Sequence, residues 1–308
     1  MSQLNQQIWS EIILDVLYAG YNEMQGIFTD DSASLVKSGA RFRKIHIANA
    51  GDIGDLTIND NTLKLDPTRR TDVAVEYSLN KFEIGPKVVE REAVLSTAYD
   101  NIKSVVESLA GAVKEGMAYT LRKNWYVDDF EIETSGSGTT ATFGNGLRKA
   151  LTHADLMLAK RKLDAQKMPL TDRYAVLSAT MANDLLDDLF TKGYNVRFIE
   201  KDALSILDEK IAGFTIIQVP VCLFGEVSGA TIETLDYNED PTDADNLVEI
   251  SLCFHKNYVS GGMDTPHIFY NENDARFRGD VITIQSYSGG APRSNDGLGI
   301  IPVVGAIE

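Results

Sequence analysis

The sequence is short of cysteine, histidine and positive charge, and it has no long apolar run. Two cysteines among 308 residues, Cys222 and Cys253, make neither a disulfide framework nor a metal-ligand spacing, so both are expected to be small core residues in a reducing compartment. The four histidines, His46, His153, His255 and His267, show no H-x-H or H-E-x-x-H spacing, which argues against zinc ligation. No apolar stretch approaches the roughly 18 residues of a membrane span. The N-terminus, Met1-Ser-Gln-Leu-Asn-Gln-Gln, has no basic leader, so a soluble protein with no membrane partner is expected. With 29 basic against 45 acidic residues the formal net charge is −16, opposite in sign to a surface that grips phosphates. General nucleic-acid affinity is therefore not expected. An acidic wall that encloses DNA without adhering to it is still compatible, and so is acidity that serves solubility alone.

What is present suffices for a core. Hydrophobic residues at 44% and charged residues at 24% are ordinary globular values. A chain of 308 residues exceeds the usual size of one core, so two lobes or one elaborated α+β domain are expected.

Along the chain, Ile8, Ile12, Leu14, Val16 and Leu17 follow a mostly helical pattern, after which 26–39 turns polar and irregular, as in an arm. From Arg41 the period becomes two, with Phe42, Ile45 and Ile47 leading to a turn-rich tip that carries Asp52 and Asp55. The return passes Asp60, Leu63, Leu65, Arg69 and Arg70 to the alternating Val73, Val75, Tyr77 and Leu79. Few large apolar side chains stand near the tip, so this excursion has little to bury against in its own subunit. It is expected to lie on a neighbour.

Ile102, Val105, Val106, Leu109, Val113, Met117, Leu121 and Trp125 recur at three- and four-residue steps and predict one long helix over 96–125, capped by Ser96 or Thr97. Thr134-Ser-Gly-Ser-Gly-Thr-Thr-Ala predicts a flexible loop. A second helix is expected over 147–166 with Leu151, Ala154 and Leu158 inward. Residues 173–177 read as a strand, Ser178 as an N-cap, and Leu185, Leu186, Leu189 and Phe190 as a short helix closed by Gly193. Further strands are expected over 213–219, 247–255, 280–287 and 299–304, with an acidic loop over 235–246 and a turn at Gly289-Gly290. No repeat of fixed period is visible.

Three motifs approach a chemistry and fall short. Gly136-Ser-Gly138-Thr-Thr-Ala141 is a formal G-x-G-x-x-A, but no helix begins on its last residues to face a pyrophosphate. Asp236, Asn238 and Asp240 match the first calcium ligands of an EF-hand loop, yet Pro241 stands where glycine must turn the chain and Leu247 where a glutamate must close the shell. Ser34-Leu-Val-Lys37 matches S-x-x-K without its partner motifs. No catalytic residue, metal ligand or cofactor is expected, and the chain does not read as an enzyme.

The order of parts, an arm, a long extended excursion, a strand, a lone long helix, an α/β lobe and a return through strands, resembles the Hong Kong 97-type coat fold of tailed-phage major capsid proteins and encapsulins. Local phrases carry the likeness too: Arg173-Tyr-Ala-Val-Leu-Ser before a helix, Ile211-Ala-Gly-Phe-Thr-Ile before Val219-Pro220, and Ala275-Arg-Phe-Arg-Gly-Asp-Val leading to Tyr287-Ser-Gly-Gly-Ala. The resemblance implies an α+β fold divided into an N-terminal arm (1–38), an E-loop (39–72), a P domain with the spine helix (73–128), an A domain (129–246) and P-domain return strands with the C-terminus (247–308). It implies a major capsid protein that assembles with itself into hexamers and pentamers, forming an icosahedral shell around double-stranded DNA held without sequence-specific contacts. The setting would be the virion, assembled in the host cytoplasm with a portal and possible decoration proteins.

Some relatives carry a long charged segment before the arm. Here the arm begins almost at Met1, so a separate scaffolding protein is expected. The assembly contacts singled out are Asp52, Asp55 and Asp60 on the excursion, Arg69 and Arg70 on its return, and Arg276 and Arg278 on the C-terminal lobe as basic partners for the acidic tip. Lys64 lies in the excursion, but no motif identifies an asparagine or glutamate partner, so no covalent crosslink is expected. Rival readings are an encapsulin-like compartment shell, another virion or tail component, and an enzyme or calcium-dependent domain built on the acidic loop.

Overall fold

A computed structural model describes residues 26–38, 42–49, 73–90, 101–140, 146–201, 204–207, 209–229, 231–240, 244–294 and 296–307. The long apolar stripe folds as expected into helix α1, Asn101–Trp125. Leu109, Val113, Met117, Leu121 and Trp125 are all buried, each a turn from the last. Burial of side chains of this size stabilises by about 2 kcal/mol apiece. The stripe lies against a long antiparallel hairpin, β17 (Val259–Asp274) with β18 (Gly279–Pro292), paired from Val259↔Pro292 to Asp274↔Gly279. Trp125 is fully buried between the rings of Phe28 and Phe254, with centroids 5.5 and 5.4 Å away, and its Nε1–H donates to Ser260 O at 2.7 Å.

The hairpin extends into a five-stranded sheet. β1 (Thr29–Asp30) runs parallel to β17, while β5 (Asn80–Glu83) and β6 (Lys87–Glu90) pair with successive stretches of β18. The sequence reading places a turn at Gly289-Gly290, and the structure corrects it: β18 runs straight through both. A Cβ on Gly290 would stand 2.3 Å from Leu121 Cδ1 and 2.5 Å from Ser260 O, so glycine is there for close packing under α1, not for turning.

The second sheet has nine strands, and its centre is β16 (Leu247–His255). β16 pairs with β10 (Arg173–Ser178) over Leu252–His255, with β14 (Leu223–Ser228) over Leu247–Ile250, and with β19 (Ile300–Val304) over Ile250–Phe254. β13 (Thr215–Val219) runs parallel to β10, followed by β12 (Leu204–Leu207) and β11 (Phe198–Lys201). β15 (Thr231–Thr234) closes on β14, and β7 (Ile132–Glu133) runs parallel to β19. β16 and β19 lie beyond residue 246, so this sheet joins segments that the sequence reading separates. Alternate residues enter different cores. Val176, Ile250, Leu252 and Phe254 join the α1 core, whereas Ala175, Leu177, Cys253, Ile301 and Val303 join a core capped by helices α2 (His153–Ala165) and α3 (Ala179–Thr191).

Two more expectations change. Residues 147–149 form β9 (Leu147–Lys149), paired with β8 (Gly138–Thr140), so the stretch read as a flexible loop contributes to a hairpin and α2 begins only at His153. Its cap is a capping box between Thr152 and Asp155, which turns Leu156, Ala159 and Leu163 inward. Ala154 and Leu158 face solvent, contrary to expectation. At α3 the local readings hold: Ser178 Oγ accepts from Met181 N–H at 3.1 Å as its cap, and Gly193 takes a φ of +83° after it. A three-stranded ribbon, β2 (Leu35–Ser38), β3 (Phe42–Asn49) and β4 (Val73–Ser78), packs Ile45, Ile47, Tyr77 and Leu79 onto the hairpin.

Candidate functional site

The chemical motifs weighed in the sequence hold no site among the described residues. Gly136 is pressed against the chain, where a Cβ would stand 2.5 Å from Ala150 O. Asp236 is engaged by Lys123 Nζ at 2.5 Å, and its N–H donates to Glu239 Oε2 at 2.6 Å, so the acidic turn is anchored to α1. Asn238 takes a φ of +64° there. His46 pairs with Glu76 at 2.8 Å on the exposed face of the ribbon, His153 opens α2, His255 is buried and His267 is exposed. No group of His, Cys, Asp or Glu among the described residues could hold a metal ion. Both cysteines are buried and unpaired.

The more informative surface is the long hairpin. One of its faces is covered: Ile282 and Ile284 are fully buried, and Ile268 and Tyr270 pack into the α1 core. Among the described residues the other face has no such cover. Phe269, opposite Thr283, is 52% exposed, and Val88, opposite Val281, is 40% exposed. Polar side chains surround them on that face, His267 opposite Gln285, Asn271 opposite Val281 and Glu83 beside Gln285, so Phe269 and Val88 are apolar points on a polar face.

The hairpin ends in a stiff cationic turn. Asp274 closes it: its Oδ1 accepts from Arg276 N–H at 2.9 Å, its backbone O from Arg278 N–H at 2.9 Å, and its Oδ2 from Asn271 Nδ2 at 2.9 Å. These bonds, the Arg276 backbone N–H first and its guanidinium next, hold the Asp274 carboxyl below its ordinary range. Arg278 takes the left-handed conformation at φ +53°, and the Arg276 guanidinium lies over the Phe277 ring at 5.7 Å. Arg276, Phe277 and Arg278 are all exposed. The structure therefore brings Arg276 and Arg278 together at one tip. Asp52, Asp55, Asp60, Arg69 and Arg70 lie outside the described residues, as does the helix expected near the N-terminus. Sequence reasoning missed Phe269 and Val88, because only the position of α1 distinguishes the covered face from the open one.

Behind this surface the two sheets are fastened by buried polar contacts. Arg122 of α1 is buried, and its guanidinium donates to Ala118 O at 3.1 Å and Val221 O at 2.6 Å; burial pushes it down to about 10, still protonated at neutral pH. Tyr119 adds a bond from its hydroxyl to Leu235 O at 3.2 Å.

No protein-family model matches the chain, and no curated protein matches its sequence. Solved structures do match. The capsid of Ralstonia phage GP4 superposes with a TM-score of 0.60 at 9% identity, over 92% of this chain and 87% of that one. The capsid of cyanophage P-SCSP1u gives 0.56 at 16% identity, over 89% and 85%. The SrpI encapsulin of Synechococcus elongatus PCC 7942 gives 0.50 at 12% identity, over 76% and 77%. At such identities the likeness lies in the path of the backbone. That path, with its long helix α1 under the hairpin and its two-faced α/β lobe, is the Hong Kong 97-type coat fold.

Proposed function

We propose that the chain is the major capsid protein of a tailed bacteriophage, assembling with itself through hexamers and pentamers into an icosahedral shell around double-stranded DNA. The observation that carries this reading is the open face of the hairpin, with Phe269 and Val88 exposed beside the Arg276–Arg278 tip, on a fold whose solved relatives are shells. Covering half-exposed side chains of this size is worth about 1 kcal/mol each. One such contact is weak, but a subunit surrounded by neighbours repeats it on every side.

In this reading residues 39–72 are the E-loop that lies on a neighbour, and α1 is the spine. The lobe of α2 and α3 is the axial domain, completed by β16 and β19. The net charge of −16 suits a container for DNA, since like-charge repulsion keeps packaged phosphates from adhering to the wall. A separate scaffolding protein and a portal complete the assembly. Capsids match more of the chain than the encapsulin does, which favours the phage reading over a cargo compartment.

The test is electron microscopy and sedimentation of the purified protein, with and without co-expressed neighbouring genes. Hexamers, pentamers or closed shells are expected, and Phe269→Asp should abolish them while leaving the melting temperature of the subunit within a few degrees. A monodisperse monomer under every condition overturns the reading.

A further inference from the structure

The three-stranded ribbon closes over a carboxyl group. Asp31 follows β1 and is fixed to the hairpin, its N–H donating to Gly261 O at 2.9 Å. A Cβ on the next residue, Gly262, would stand 2.2 Å from Ile45 Cδ1, 3.3 Å from the Tyr77 hydroxyl and 3.6 Å from Ser32 N. Ribbon side chains and the backbone beside Asp31 therefore converge on one point. Asp31, Tyr77 and Ser260 are all buried there.

The joint is one proton short. The Ser260 hydroxyl stands beside both Asp31 and Tyr77, but its single proton goes to Ala291 O at 3.0 Å. Asp31 Oδ2 and the Tyr77 hydroxyl find no hydrogen-bond partner among the described residues. The Arg293 guanidinium lies 3.6 Å from Asp31 Oδ1, an ion pair too long for a hydrogen bond. An ionised Asp31 thus leaves a buried acceptor bare, whereas a protonated one becomes a donor that Ser260 Oγ can accept. Burial is the main cause that raises the Asp31 carboxyl above its ordinary range; Arg293 opposes this and Asp30 adds to it. Among the described residues, the charged and titratable groups facing Asp31 are Arg293 after β18, Asp30 on β1 and Tyr77 on β4. Asp30 is engaged by Ser32, whose N–H donates to its Oδ1 at 2.9 Å, and burial keeps Tyr77 neutral.

We propose that Asp31 is a proton-operated latch for the ribbon: protonated, it holds β2, β3 and β4 on the hairpin, and ionised, it lets them lift. Docking of the ribbon buries the carboxyl, so by linkage a proton on the carboxyl favours docking to the same degree. With the ribbon lifted, Asp31 meets water and titrates near its ordinary 3.8. The hold is therefore complete below that pH and is lost as pH rises through the higher value of the docked state. β3 ends at Asn49 and β4 begins at Val73, so the latch sets how firmly the base of 50–72 is held. This goes beyond the shell reading and does not depend on it.

The test is hydrogen–deuterium exchange of the full-length protein from pH 4.5 to 7.5, corrected for the intrinsic pH dependence and read on peptides covering β3 and β4. Opening of the ribbon is expected to rise at least threefold across this range, with no such rise in α1. D31N should abolish the rise and keep the ribbon at the parent's acid level. R293Q, which removes the opposing charge, should enlarge it. Histidine also titrates in this range and His46 lies on the exposed face of the ribbon, so H46Q is the control and should keep the rise. A flat profile in the parent, a rise that survives D31N, or a rise that vanishes in H46Q overturns the proposal. Should D31N fail to fold, R293Q decides alone, and a profile unchanged from the parent overturns the latch.

Discussion

Gly290 and Gly111 make opposite predictions from the same substitution. An alanine Cβ at Gly290 would stand 2.3 Å from Leu121 Cδ1, 2.5 Å from Ser260 O and 3.0 Å from Trp125 Nε1. The leucine can shift, but the carbonyl belongs to the paired strand β17 and cannot move without disturbing the ladder. Separating α1 from the hairpin also stretches the 2.7 Å bond from Trp125 to Ser260 O. Overpacking costs about 1–3 kcal/mol and a lost buried hydrogen bond about 1 kcal/mol, so Gly290→Ala should destabilise by about 2–4 kcal/mol. For a chain of this size that lowers Tm by roughly 3–6 °C. Gly111 lies within α1 with nothing within 4 Å of its would-be Cβ, so Gly111→Ala should stabilise by about 0.5–1 kcal/mol through helix propensity alone. Urea denaturation of both variants, with m-values compared to confirm the same unfolding reaction, decides the matter. If Gly290→Ala is as stable as the parent, or both alanines act in the same direction, the packing of α1 on the hairpin described above is wrong.

Three further outcomes follow from buried groups. Burial first, then the Arg173 charge, lowers the His255 pKa against the opposing pull of Asp172, and its Nδ1 accepts from Asn257 N–H at 3.2 Å. The unfolded chain therefore takes up a proton before the folded one. Stability should fall as pH drops through about 6.5, the ordinary histidine value, and His255→Asn, which keeps an acceptor in place, should flatten that slope in melting curves recorded from pH 7.5 to 5. Cys253 is fully buried with its thiol pushed up to about 12, and Cys222 is buried and also raised. Dithiobis(nitrobenzoate) at pH 8 should find no thiol in the native protein and two after guanidinium unfolding, and rapid native labelling would contradict the burial of both cysteines. Ser178 caps α3 and donates to the buried Glu249 Oε2 at 2.6 Å, so Ser178→Ala should cost about 2–3 kcal/mol in urea unfolding, and a loss below ~0.5 kcal/mol would show that the pair contributes nothing.

Legibility followed the range of the forces involved. α1 was readable because its stripe recurs along one helix face, and β10 with α3 because Ser178 caps locally what the apolar pattern begins. β17 was not readable. Gly261, Gly262 and Pro266 argue against a strand, and its extended path is imposed by the ladder to β18 and by close approach to other layers; a Cβ on Gly262 would stand 2.2 Å from Ile45 Cδ1. The inward face of α2 was misread because its start was placed at Leu147, although the Thr152 and Asp155 spacing carries the capping signal that fixes His153 as the first residue. At the surface, Arg276 and Arg278 were visible as basic residues of the C-terminal lobe, but not as the turn that closes a hairpin. The exposure of Phe269 and Val88 depends on which strands lie beside which, and no local pattern encodes that.

The central place of β19 sets a schedule for synthesis. Residues 300–304 stand between β16 and β7, and Val303 pairs with Ile132, far earlier in the chain. Until they leave the ribosome, β16 lacks one of its neighbours and the inward faces of Ile301 and Val303 are missing from the core under α2 and α3. Contacts of such long sequence separation form late. The lobe of α2 and α3 therefore completes only once residue 304 has been made, and any shorter nascent chain holds this sheet unfinished.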